Sequence, residues 1–171
     1  MSTELFQGEL EGTSMDVFGT VDLEQYLVFS CAGGTYGINI LETHEILRPV
    51  PITRLPNVEP EYLGVLNLRG NIIPLLDCAR KFGEDYADLT QLSRIVVCAS
   101  RGKFIGLVVD RILEVARIPS DRVEGKEVAG LSGRYMKGVG RSDQRLFLIL
   151  SLDTLTAGEQ DGCGKVFRTL S

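Results

Sequence analysis

The chain has no tryptophan and a single histidine, His44, among its 171 residues. Its four cysteines, Cys31, Cys78, Cys98 and Cys163, form no Cys-x-x-Cys pair. One histidine and scattered thiols do not assemble a zinc site, so no metal is expected. Cys78 and Cys98 stand in apolar runs and read as small core residues of a cytosolic protein. The opening stretch MSTELFQGELEGTSMD has neither a basic start nor an apolar run, so no signal peptide is expected. No apolar run approaches the ~20 residues that cross a bilayer. The expectation is a cytoplasmic protein without membrane insertion.

Catalytic motifs are missing too. Ser132, in Gly130-Leu-Ser-Gly133, mimics part of a nucleophile elbow but lacks the strand-turn-helix context. Gly138-Val-Gly140 has no third glycine and no following helix, and no phosphate loop occurs. His44 has no nucleophile near it in sequence, and Asp77 and Asp110 end apolar runs, where capping and turn roles explain them. Neither a catalytic set nor a cofactor is expected.

Positive charge is also missing from one region. Residues 1–25 carry Glu4, Glu9, Glu11, Asp16, Asp22 and Glu24, with no Lys or Arg. Without them, 17 acidic residues face 18 basic ones, so the net charge of −5 belongs to the leader. A near-neutral body with dispersed arginines lacks the basic stripe of a nucleic-acid binder. The composition predicts a flexible acidic leader over 1–23 and a flexible tail over 158–171, around a body at 24–157.

What is present is a series of short β runs. Tyr26–Ser30 and Tyr36–Ile40 flank the turn residues Ala32-Gly33-Gly34-Thr35 and predict a hairpin. Residues 41–47 are ambiguous between helical turn and strand. Pro49, Pro51 and Pro56 impose a loop, and 57–62 suits one helical turn. Strands at 64–69 and 71–76 follow, then Asp77 as N-cap of a short turn over Cys78–Phe82. Further strands are read at 93–99, 104–109, 112–118, 136–140 and 145–150, with a loop at 119–134 and a helical turn from Leu152. About ten short strands so spaced imply all-β barrels or a sandwich.

The strands repeat. Tyr36–Ile40 with Glu45-Ile46 matches Ile105–Val109 with Glu114-Val115, Gly37 falling on Gly106 and Glu45 on Glu114. Ile72–Asp77 matches Leu148–Asp153, and Tyr62-Leu-Gly-Val matches Tyr135-Met-Lys-Gly-Val. The repeat predicts two similar small β units that bury a core between them.

Between two apolar runs stands the polar knuckle Asn67-Leu68-Arg69-Gly70. Gly70 permits a tight turn, and the planar guanidinium of Arg69 suits acceptors on its own loop or on a partner. Near the equivalent place the second half has Arg141 and a polar turn, but no Asn-Leu-Arg-Gly. That asymmetry favours partner contact over a purely structural role for Arg69.

The order of motifs resembles the CheW family of chemotaxis coupling proteins. The resemblance rests on Tyr26–Phe29, Tyr36–Ile40 with Glu45-Ile46, Gly64–Gly70, Ile72–Asp77, Gly106–Asp110 with Val115, and Leu146–Leu150, from about residue 24 to 157. It implies two intertwined, five-stranded SH3-like barrels on a shared apolar core, with short helical turns. It implies a non-enzymatic adaptor between the cytoplasmic tips of methyl-accepting chemoreceptors and the regulatory domain of the histidine kinase CheA. Other copies of the family in arrays are implied partners, and nucleic acid is not. A regulatory module of another two-component assembly is the alternative. Carried over by position, Thr43, Glu45, Ile46, Gly64, Asn67, Arg69 and Val115 fall where receptor or array contacts are expected. Ile46 and Val115 would line a slot for a receptor helix, with Glu45 and Arg69 setting its orientation. Thr43 stands where the family often has a small apolar residue.

Overall fold

The computed structural model describes residues 22–85, 87–125 and 132–157. The expectations for the leader before residue 22, the tail after 157, Cys163 and the middle of the 119–134 loop lie outside those residues. Within them the chain forms β1 (Leu23–Cys31), β2 (Gly34–Asn39), β3 (Thr43–Leu47), β4 (Tyr62–Leu68), β5 (Asn71–Asp77) and helix α1 (Cys78–Lys81). There follow β6 (Arg94–Ser100), β7 (Lys103–Val109), β8 (Arg111–Pro119), β9 (Met136–Arg141), β10 (Leu146–Leu150) and helix α2 (Leu152–Ala157).

The strands make two five-stranded sheets, the two SH3-like units expected. Unit 1 has the order β8-β1-β2-β10-β9, and unit 2 the order β3-β6-β7-β5-β4. Each unit lends a strand to the other. β3 follows β2 in the chain but pairs with β6, and β8 follows β7 but pairs with β1. A 3-10 turn over Ile40–Glu42 carries the first crossover, with the Asn39 side chain accepting from Leu41 N at 2.9 Å.

Strand alternation sorts the apolar residues into three cores, because successive side chains point to opposite faces. Leu27, Phe29 and Cys31 of β1 face a shared core with Leu76, Val96, Cys98 and Leu107 of unit 2. Tyr26 and Val28, on the other face of β1, fill the inside of unit 1 with Ala116, Ile118, Phe147 and Ile149. Leu66, Ile73, Leu75, Ile95, Val97 and Val108 do the same for unit 2. Burying each large aliphatic or aromatic side chain contributes about 1.5–3 kcal/mol, so the interface between units is part of the fold. Lys81 of α1 reinforces it. Its buried ammonium lies 3.8 Å from Glu61 and over the ring of Tyr135, 5.2 Å from the centroid.

The internal repeat is exact in register. Tyr26 pairs with Asn39 and Cys31 with Gly34 in unit 1, and their counterparts Ile95 with Val108 and Ser100 with Lys103 in unit 2. The lent strands match as well. Leu27–Val115 and Val28–Glu114 correspond to Val96–Ile46 and Val97–Glu45, with a bulge after each glutamate pair. Parallel pairing sets Ile149 beside Gly37 and Leu75 beside Gly106. Ile149 therefore corresponds to Leu75, and Ser151 to Asp77. The sequence match had placed Asp77 on Asp153, two residues too far. An even slip keeps every side chain on its own face, so the apolar pattern cannot reveal it. The caps agree with the corrected register: Asp77 accepts from Ala79 N at 3.1 Å and Ser151 Oγ from Thr154 N at 3.2 Å.

Residues 57–62 do not form the helical turn expected. Asn57 adopts φ 59°, which a helix excludes, and a turn closes from Tyr62 N to Glu59 O at 3.0 Å. The ambiguous stretch 41–47 resolves into the end of the 3-10 turn and strand β3. Cys31, Cys78 and Cys98 are buried thiols, and burial pushes the Cys98 pKa up to about 12.

Candidate functional site

The knuckle is the two-residue turn between β4 and β5. Arg69 and Gly70 both take positive φ, 51° and 86°, as a two-residue hairpin loop requires. A Cβ at Gly70 would meet nothing within 4 Å, so conformation rather than space selects glycine there. Asn67 holds the turn, its Oδ1 accepting from Gly70 N at 2.9 Å.

The turn projects Arg69 toward edge strand β3. Its Nη2 lies 2.5 Å from Glu45 Oε1, and Nη1 donates to Oε2 at 3.4 Å, a forked contact between adjoining elements. The Arg69 side chain stays 64% exposed and that of Glu45 27%. The pair fixes the direction of the guanidinium and leaves much of it open to solvent. Ile46, the next residue, is 42% exposed, and Ile72 on β5 presents a second exposed aliphatic. Beside the pair, the exposed His44 ring packs on Phe104 with centroids 4.8 Å apart.

Of the other expected site residues, Gly64 has an evident packing role. It adopts φ 147°, and a Cβ there would stand 2.2 Å from the Thr53 carbonyl oxygen. The missing side chain lets Thr53 and Val65 exchange two backbone hydrogen bonds, at 2.9 and 2.8 Å. Thr43 begins β3, and its hydroxyl oxygen is buried without a hydrogen-bond partner. Glu42 beside it also has one buried oxygen without a partner. Burial raises its pKa, Lys137 opposes that shift and Asp153 adds to it. Val115 lies on β8, the edge strand of unit 1, and is 50% exposed. The structure thus gathers Glu45, Ile46, Asn67 and Arg69 on unit 2 and puts Val115 on an edge of unit 1.

Val115 has its own neighbours there. Arg145 Nη1 lies 3.1 Å from Glu114 Oε2, and Ser142 Oγ donates to the same oxygen at 3.0 Å. Glu114 is the counterpart of Glu45, Val115 of Ile46 and the exposed Leu146 of Ile72. Both units therefore carry an edge-strand glutamate paired with an arginine from the facing hairpin, next to exposed aliphatics. This corrects the asymmetry read from the sequence. Arg141 pairs instead with Glu124, at 3.9 Å, and the partner of Glu114 comes from the far side of the turn. The repeat had pointed to Glu114. Nothing in the sequence marks Arg145, which stands two residues from the position matching Arg69.

Among the described residues no group of His, Cys, Asp and Glu is placed to hold a metal ion, and no helix is long and apolar enough to cross a membrane.

Comparison with known proteins matches residues 25–160 to the model of the CheW-like domain. The chemotaxis protein CheW of Helicobacter pylori is 30% identical over 132 residues, 77% of this chain and 80% of that one. The chemotaxis protein CheW of Klebsiella aerogenes is 27% identical over 139 residues, 80% and 84% of the two chains. Among solved structures, the scaffolding protein TtCheW from Thermoanaerobacter tengcongensis is similar at 31% identity and a TM-score of 0.73, over 78% of this chain and 92% of that one. By its repeat, its exchanged strands and these matches, this chain belongs to the CheW family.

Proposed function

We propose that this protein is a cytoplasmic, non-enzymatic adaptor that couples chemoreceptor cytoplasmic tips to the regulatory domain of the histidine kinase CheA. One observation carries the reading: the same surface occurs twice, once on each unit. A single chain with two faces of the same kind can hold two partners at once without any moving part. On each face the exposed aliphatic supplies apolar contact area, and the paired arginine supplies directional donors. Ile46 with Glu45 and Arg69 forms one face, flanked by Thr43 and by the turn that Asn67 holds. Val115 with Glu114 and Arg145 forms the other. Gly64 supports the first face through the backbone bridge between Thr53 and Val65 rather than by touching a partner. Other copies of the family could engage the same faces, since each presents what the other presents. The relatives named for chemotaxis support the pathway assignment.

A second reading is a regulatory module of another two-component assembly. The chain is also 31% identical, over 80 residues, to the protein PilI of Pseudomonas aeruginosa, a relative whose name does not mention chemotaxis.

The test is a pull-down of the intact chain with a CheA regulatory domain and a receptor tip. Arg69→Ala is expected to weaken ternary assembly at least about tenfold while the melting temperature changes little, as for an exposed pair. Unchanged assembly would remove Arg69 from the partner face. Failure of the folded wild type to bind either partner would remove the adaptor reading.

A further inference from the structure

The two lent strands leave their units with different edges. β8 runs nine residues, from Arg111 to Pro119, and β3 only five, from Thr43 to Leu47. Each lies at the outside of its sheet, β8 beside β1 and β3 beside β6. In register, residues 117–119 of unit 1 match 48–50 of unit 2, so Pro49 stands where unit 1 has Ile118. Proline has no N–H to offer an incoming strand, and Pro51 follows two residues later. The edge of β3 is therefore blunted, whereas β8 carries no proline before its last residue.

A cleft of about 300 Å³ follows that open edge, and residues 114–119 all contribute to its lining. Successive side chains of a strand point to opposite faces, so consecutive residues line one cleft only where it runs along the backbone edge. The rest of the lining is Arg122, at the end of a 3-10 turn over Ser120–Arg122, and residues 141–144 from the β9–β10 turn. The hydrogen bond from Ser142 Oγ to Glu114, at 3.0 Å, joins β8 to that turn. The cleft is positively charged. Arg117, Arg122 and Arg141 are exposed, and Arg141 reaches Glu124 at 3.9 Å with both side chains in solvent. Arg117 and Arg122 have no ion-pair partner among the described residues. Of the acids in the lining, Glu114 is held by Arg145, which leaves Asp143.

We propose that the β8 edge takes an extended, acidic segment of a partner protein as an added strand. Backbone hydrogen bonds to the free edge supply affinity, and alternate side chains supply selectivity. Val115 and Arg117 are exposed on one face of β8, while Ala116 and Ile118 pack inside unit 1. An added strand sets its own side chains beside that exposed face at the same spacing. The fitting segment therefore carries an aliphatic residue next to Val115 and, two residues away, a carboxylate next to Arg117, with further acids for Arg122 and Arg141. A second copy of this chain fits badly, because pairing β8 with β8 would bring one arginine-bearing edge against another. Val115 is shared with the face proposed above, but the three arginines of the cleft are not. The site needs neither a kinase nor a receptor, and it stands whether or not the adaptor reading does.

Synthetic peptides of about eight residues, within the usual range of strand lengths, test it on the full chain. The peptide Thr-Val-Thr-Glu-Thr-Val-Thr-Glu should bind and slow exchange of the outward-facing amides of 114–119 at least about tenfold. Its lysine-for-glutamate version should bind at least about tenfold more weakly. So should the glutamate peptide with the chain carrying Arg117→Glu and Arg122→Glu, two exposed sites. N-methylation of one alternate set of peptide amides should abolish binding to the wild-type chain, because those amides face the β8 edge. No binding of the first peptide overturns the proposal. Equal binding of the glutamate and lysine peptides, or of both N-methylated forms, does the same, as does binding without slowed exchange at 114–119. Slow exchange of those amides before any peptide is added overturns it too, and its loss on dilution would name a second copy as the occupant.

Discussion

Gly64 in unit 2 and Gly138 in unit 1 occupy the same point of equivalent strands, each one residue before a bridge to an incoming loop. Their surroundings differ. A Cβ at Gly64 would stand 2.2 Å from a backbone carbonyl, and φ there is 147°. At Gly138 the nearest backbone oxygen, that of Glu124, is 2.8 Å away. The architecture asks for closeness at both places, but only unit 2, next to the candidate partner turn, has tightened it to the limit. One plan executed at two tolerances shows which constraints come from the fold and which from local packing.

The largest test of that contrast is alanine at each position. Gly64→Ala should destabilise by about 3 kcal/mol, because the clash is with backbone and the conformation is strained. Gly138→Ala should cost about 1 kcal/mol, since Val123 and the Glu124 carbonyl need to move only slightly. Thermal or urea unfolding of both variants measures the difference, and equal losses would mean that the loop around Thr53 is free to shift.

The caps come next. Asp77 is fully buried and accepts from Ala79 N and Ala87 N, whereas Ser151, half-buried, caps α2 through one bond. Asp77→Ala should cost about 2 kcal/mol and Ser151→Ala about 0.5–1 kcal/mol. Asp77 adds a pH signature. Burial raises its pKa, against the backbone donors from Ala87, Ala79 and Arg80, which lower it. The charged form is therefore less favoured folded than unfolded. Stability from this group is complete below the unfolded value and declines as pH rises through the folded one. Relative to wild type, Asp77→Asn should lack that decline as pH rises above the ordinary aspartate range, as read from urea midpoints at several pH values. A parallel offset at every pH would mean that the carboxyl does not titrate between the two states.

The ion pairs give the smallest effect. Arg145 and Glu114 are 30% and 21% exposed and share Ser142, while Arg69 is 64% exposed. Double-mutant cycles should return about 1 kcal/mol for Glu114–Arg145 and under about 0.5 kcal/mol for Glu45–Arg69. A reversed order would mean that the Arg69 pair serves unit 2 more than it serves a partner.

Much of this was legible beforehand. The hairpin at 26–40 and the Asp77 cap follow from local chemistry, and Gly37 against Gly106 disclosed the duplication. The match of Asp77 to Asp153 failed because strand patterns have period two and tolerate an even slip. Residues 57–62 failed because Asn57 takes a left-handed conformation that composition permits but does not require. Arg145 stayed hidden because a hairpin tip can reach the same glutamate from either side of its turn.

The sequence by itself determined the strands, their faces, the turns and the two-fold repeat. These depend on alternation, glycine and capping, which act over a few residues. Only the tertiary structure decided that the units exchange β3 and β8 and which arginine meets Glu114. Those outcomes depend on which distant strands share an edge. The pairing energy of an edge is similar for many candidate strands, so the choice falls to packing of the whole core.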